Sequence, residues 1–144
     1  MRSLGLDIGD KRIGVAISDP EEILASPLAT ITRDDDDKAI DAILELVAEY
    51  RAQRIVVGLP YSLDGNIGRQ ASKVMAFVEK LSGCTEVNIE TQDERLSSVA
   101  AKHLLVEAGT KKHKARLQLD AAAAAFILQG YLDSLRVSGN DTVY

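Results

Sequence analysis

Apolar and polar positions change period along the chain, and the changes mark the elements. Ser3-Leu4-Gly5-Leu6-Asp7-Ile8 reads as a buried strand, Gly9-Asp10-Lys11 as a turn and Arg12–Ser18 as the return strand of a hairpin. Pro20 and Pro27 bracket an irregular stretch. Ala29 and Ile31 then alternate with Thr30 and Thr32 in a half-exposed third strand, Ala29–Arg33. Ile40, Ile43, Leu44 and Val47 fall on one face of a helix opened by the acidic run Asp34–Asp37, with Asp35 or Asp36 as its cap. Arg54–Leu59 is β-branched and apolar, as an interior parallel strand is, and Pro60 ends it. Tyr61–Asn66 reads as loop. Ala71, Val74, Met75, Val78 and Leu81 mark a second helix stopped at Gly83, and Val87–Thr91 a further short strand. Leu96, Val99, Ala100 and Leu104 begin a third helix closed by Gly109. Thr110–Arg116 is a basic connector, Leu117–Arg136 an alanine-rich last helix, and Val137–Tyr144 a flexible tail.

The order β-β-β-α-β-α-β-α-α predicts an α/β fold: a mixed five-stranded sheet, three antiparallel strands and then parallel β-α units, flanked by helices. With 144 residues the chain fits one domain, placed at residues 1–136. A hydrophobic fraction of 46% and a charged fraction of 27% exclude a disordered chain and a membrane protein. No apolar run reaches bilayer length and no signal-peptide core opens the chain, so a cytoplasmic location is expected. Cys84 is the single cysteine, which excludes an internal disulfide and a multi-cysteine zinc site. His103 and His113 fall in different elements and make no zinc site, and Ser97 and Ser98 lack the context of a nucleophile elbow.

Candidate chemistry gathers on acids. Ligands of open α/β sheets bind beyond the carboxyl ends of the strands. Asp7 lies near the end of the first strand, Asp93 and Glu94 follow the last strand, and Asp120 sits at the start of the last helix. Taken singly, Asp7 is a turn residue, Asp93 or Glu94 a helix cap, and Asp120 an acid favoured by the helix dipole. If the first and last strands are neighbours, the acids converge. A carboxylate cluster persists when a divalent cation or a proton neutralises it, and hard oxygen ligands suit Mg²⁺ or Mn²⁺. Gly9 reads as a hairpin residue at positive φ. Gly14, inside a strand, marks a bulge or a close approach.

Four stretches resemble one family. Leu6-Asp7-Ile8-Gly9-Asp10-Lys11-Arg12-Ile13-Gly14-Val15-Ala16 is similar to the opening motif of the YqgF/RuvX family of Holliday junction resolvases. The likeness continues through Val57-Gly58-Leu59-Pro60 with Asp64-Gly65, through Asp93-Glu94-Arg95-Leu96-Ser97-Ser98, and through Leu119-Asp120-Ala121 to Leu128. The resemblance implies an RNase H-like fold. It implies a catalytic and metal-binding triad of Asp7, Glu94 and Asp120, with Asp93 as a possible additional member. It implies two Mg²⁺ or Mn²⁺ ions about 3.5–4 Å apart hydrolysing a phosphodiester. It also implies a nucleic-acid substrate, either a four-way DNA junction or the precursor of the small-subunit (16S) ribosomal RNA, with the RNA role favoured as physiological.

Net charge, 17 − 22 = −5, argues against a general nucleic-acid coat protein. Local cations answer that objection. Lys111, Lys112, Lys114 and Arg116 shortly precede Asp120, and Lys11, Arg12, Arg69 and Arg95 add to a phosphate-binding rim. If all four connector cations touch duplex phosphates, the salt slope is about −3.6. Aromatic residues are only 4% and tryptophan is absent, so recognition is expected through backbone and shape. Two other functions compete: an ATP-binding domain of the actin and sugar-kinase type, and a non-catalytic nucleic-acid adaptor. Junction cutting needs two active sites, which makes a homodimer the expectation for that role.

Overall fold

The computed structural model describes residues 1–60, 68–93 and 113–143. Five strands, β1 (Arg2–Ile8), β2 (Arg12–Ser18), β3 (Ala25–Thr32), β4 (Ala52–Leu59) and β5 (Asn88–Asp93), form one sheet. Among the described residues the helices are α1 (Asp36–Tyr50), α2 (Arg69–Ser82) and α3 (His113–Val143). The sheet order is β3-β2-β1-β4-β5. β1, β2 and β3 pair antiparallel, whereas β1–β4 and β4–β5 are parallel. The expected mixed α/β sheet is therefore present. The supposed contact between first and last strands is not, because β4 lies between β1 and β5. All three parallel strands still end at the same edge.

Strand alternation divides the core in two. Leu4, Leu6, Ile8, Ile13, Val15, Ile55, Val57 and Leu59 face α1 and α2 and meet Ile40, Ile43, Val74, Phe77 and Leu81 there. Ala16 and Val56 face the other way, onto Ala124, Ile127, Leu128 and Leu132 of α3. Small residues let α3 sit close. A Cβ on Gly5 would lie 2.8 Å from the Leu128 Cβ, and one on Gly14 would lie 1.8 Å from the Asp120 carbonyl oxygen.

Element ends differ from the expectation where tertiary context outweighs local signals. β3 begins at Ala25 and contains Pro27. Proline is tolerated there because β3 is an edge strand and its pairing with β2 shifts register between Val15 and Ala16. β5 runs on to Asp93, so that acid closes the strand rather than following it. α3 starts at His113, within the expected connector, and runs past Arg136 to Val143 where a loose tail was expected. α1 is capped by Asp35, whose side chain accepts from the Asp37 amide. The expected loop 61–66 and the helix expected from Leu96 lie outside the described residues.

Candidate active site

Asp7 is one residue from the end of β1 and has the parity of Ser3 and Gly5, so it faces α3. It is 6% exposed, the one acid among the buried polar residues described. A carboxylate in such a place is costly unless its surroundings compensate it, which marks a functional candidate. Its cross-strand partner in β2 is Gly14. Gly14 in turn lies directly beneath the Asp120 carbonyl. This chain of contacts brings Asp7 and Asp120 to one spot on the α3 face of the sheet. Gly14 is thus the close approach, not the bulge: the missing side chain is what lets Asp120 reach the strand pair. Asp120 itself is seven positions into α3. It is not at the helix start, so the helix dipole does not account for it.

A cationic group already sits on Asp120. The Arg12 Nε donates to Asp120 Oδ2 at 2.6 Å, with side-chain exposures of 29% and 15%. Arg12 was expected on an open phosphate-binding rim; the structure engages it in this ion pair. Lys11 is exposed in the β1–β2 turn and Arg69 is exposed at the start of α2. Lys114 and Arg116 belong to the helical backbone of α3 rather than to a loop, and their side chains are outside the description. Glu94, Arg95, Lys111 and Lys112 lie outside the described residues.

The sheet register separates the two candidate acids after β4. Leu59 pairs with Asp93 and Gly58 with Gln92. Leu59 belongs to the α1/α2 core, so Asp93 has the parity of that face. Gln92 has the parity of Asp7, and its amide reaches Gly130 of α3. Asp93 and Asp7 are therefore on opposite faces of the sheet.

The turn that follows Asp7 is fixed by a residue the sequence did not single out. The Arg33 amide donates to the Lys11 carbonyl at 2.8 Å, and Arg33 Nη1 donates to the Gly9 carbonyl at 2.9 Å. Arg33 Nε also donates to Asp36 Oδ1 at 2.8 Å, and the guanidinium lies 4.8 Å from the Phe77 ring centroid. Arg33 holds the Asp36 carboxyl below its ordinary value of 3.8. Within the turn, the Gly9 amide donates to the Arg12 carbonyl at 2.9 Å. Gly9 is needed for this approach, since a Cβ would stand 2.8 Å from that oxygen, and not for a positive φ, which it lacks. Local sequence shows only the i,i+3 pairing with Asp36; the other partners come from the β1–β2 turn and from α2.

Among the described residues no group of three or more His, Cys, Asp or Glu side chains converges on a metal position. The described part of the expected triad is the pair Asp7 and Asp120. Their hard carboxylate oxygens, with Asp7 buried on the α3 face, fit a divalent cation such as Mg²⁺ or Mn²⁺.

A sheet of three antiparallel strands followed by parallel ones, with Asp7 near the carboxyl end of β1, defines an RNase H-like fold. Solved structures agree on the fold. Thermus thermophilus RuvC in complex with a Holliday junction matches with a TM-score of 0.60 at 16% identity, over 94% of this chain and 96% of that one. The fowlpox virus resolvase with Holliday junction DNA matches with a TM-score of 0.58 at 16% identity, over 94% and 99%. The particular family follows from sequence: residues 1–134 match RuvX, described as Holliday junction resolvase, and the chain belongs to that family. A protein of Desulforamulus reducens is 46% identical over 134 residues, 93% of this chain and 98% of its own length. One of Chloroflexus aggregans is 47% identical over 133 residues, 92% and 94%. Both carry the name "Putative pre-16S rRNA nuclease". Family membership makes the chain a nuclease, a hydrolase of phosphodiester bonds, in place of the ATP-binding and adaptor readings. No described helix is long and apolar enough to cross a membrane.

Proposed function

We propose that this chain is a divalent-metal-dependent endonuclease with Asp7, Glu94 and Asp120 as its carboxylates. The observation that carries the reading is the buried Asp7 facing α3, joined through Gly14 to Asp120. Glu94 is preferred over Asp93 because the β5 register gives Asp93 the parity of the opposite face. Mg²⁺ or Mn²⁺, when bound, supplies an activated water and stabilises the leaving oxygen. The chain's own part is to hold the oxygen donors on rigid elements: Asp7 on a central strand and Asp120 on a helix seated against it.

The substrate is structured nucleic acid. The names of the relatives support the 16S rRNA precursor as the physiological substrate; maturation of its 5′ end, in the cytoplasm, is the role this reading assigns. Resolution of four-way DNA junctions is the second role, supported by the family description, and requires two copies acting together. Lys11, Arg69, Arg95, Lys111, Lys112, Lys114 and Arg116 would face the backbone, and Arg12 would join them once released from Asp120.

Side-by-side assays with precursor rRNA and branched DNA, with and without Mn²⁺, test the reading. Wild type is expected to cut the RNA in a Mn²⁺-dependent manner. Asp7→Asn is expected to lose at least about 10²-fold in rate while keeping its circular dichroism spectrum. Full activity of a folded Asp7→Asn protein would refute the assignment.

A further inference from the structure

Arg12 and Asp120 are separated by 108 residues in sequence yet form a partly buried pair at 2.6 Å. The pair sits at the rim of the carboxylate edge, one residue along β2 from Ile13 and two from Gly14. Arg12 shares the parity of Gly14, so it approaches Asp120 on the α3 face, where Asp7 also points. A divalent cation on Asp120 Oδ2 competes with the guanidinium for the lone pairs of that oxygen, and the two positive charges repel. The guanidinium is also well suited to a phosphate, which it grips with two parallel donors.

We infer that Arg12 is a placeholder cation: it occupies Asp120 in the metal-free protein, yields it to the divalent cation, and then takes a phosphate of the substrate backbone. The inference rests on the nuclease reading above. It adds that one residue links loading of the cation to grip on the nucleic acid. The link is reciprocal: whatever draws Arg12 off Asp120, cation or phosphate, eases binding of the other.

The two ligands are predicted to respond to Arg12→Gln with opposite signs, which a purely structural role would not produce. Mn²⁺ binding by the full chain, followed by electron paramagnetic resonance without nucleic acid, should tighten about five-fold, the worth of a partly exposed pair. Binding of a four-way DNA junction in saturating Ca²⁺ should weaken, and its salt slope should become shallower by about 0.9, one phosphate contact. Lys11→Gln, one residue away and exposed, serves as the charge control. It should weaken junction binding but leave Mn²⁺ affinity within about two-fold. A measurement on wild type guards against a variant that does not fold. The Arg12 Nε–H signal in a nitrogen-resolved NMR spectrum, assigned by its absence in Arg12→Lys, should be protected in EDTA and lose protection as Mg²⁺ is added.

Equal or weaker Mn²⁺ binding by Arg12→Gln, or an Arg12 signal unmoved by saturating Mg²⁺, overturns the inference and leaves the nuclease reading standing. Absence of Mn²⁺ binding by wild type overturns both.

Discussion

Single residues at the site act through what they leave room for. Gly14 is the clearest case. An added methyl would meet the Asp120 carbonyl at 1.8 Å, and backbone on both sides leaves it nowhere to go. Gly14→Ala is predicted to lose about 3 kcal/mol or more in urea unfolding, at the upper end of overpacking costs, and to displace Asp120. Gly83→Ala is the matched control. Its backbone is right-handed helical (φ −73), and the added Cβ would find its nearest neighbour at an ordinary 3.5 Å. It is predicted to be neutral or to gain up to about 1 kcal/mol. Equal losses in the two variants would show that the seat of α3 does not depend on Gly14.

Arg33 exerts its effect through charge as well as contact. Its hydrogen bond lowers the Asp36 carboxyl, so the folded protein takes up this proton at lower pH than the unfolded chain. The stabilisation is complete above about 3.8 and is lost as pH falls through the lowered value. Asp19 titrates in the same direction because the Leu24 and Ile23 amides donate to it. Arg33→Met should therefore be separated from wild type most widely near pH 5. The gap in urea midpoint should narrow towards pH 2.5. A gap that stays constant over that range would contradict the role given to the Arg33–Asp36 contact.

At the scale of elements, helix ends give the sharpest expectations. α1 ends on Arg51 in the left-handed region, φ 55 and ψ 43, where its amide caps Ala48 and Val47. Arg51 is exposed, and the left-handed position favours glycine. Arg51→Gly is predicted to raise the stability by roughly 0.5–1 kcal/mol, read from the denaturation midpoint. A loss would mean that the arginine side chain makes a contact outweighing its backbone strain.

Elements with strong periodicity were legible before folding. β2 runs from Arg12 to Ser18 as its alternation predicts, and α1 carries its apolar stripe on Ile40 and Ile43 with an aspartate cap. Elements whose ends depend on neighbours were not. Pro27 signals a break in isolation, yet at a sheet edge its missing amide costs no ladder bond. His113 to Arg116 reads as a charged loop because cations are disfavoured in a first helical turn, and α3 nevertheless begins there. Of the acids, the described structure brings Asp7 and Asp120 to the α3 face and gives Asp93 the parity of the other. Asp7 and Asp120 come together across β1, β2 and α3, not through a pairing of the first and last strands, because β4 intervenes between β1 and β5. What no local pattern encodes is pairing across distant segments: Arg12 with Asp120, and Arg33 with Gly9, Lys11 and Phe77.

For the whole molecule, the division of labour follows the sheet. One face, packed on α1 and α2, carries the larger apolar cluster. The other is covered by α3 and carries Gly5, Gly14, Asp7 and the Arg12–Asp120 pair. The close approach that builds this second face also brings Asp120 against the β1–β2 pair.

The most direct test of that account is a crystal of the full chain grown with Mn²⁺ and measured for anomalous scattering. Manganese density within about 2.0–2.3 Å of oxygens from both Asp7 and Asp120, with Glu94 as the third carboxylate, is the predicted result. Manganese bound elsewhere, or Asp7 and Asp120 oxygens too far apart to share it, would contradict the account.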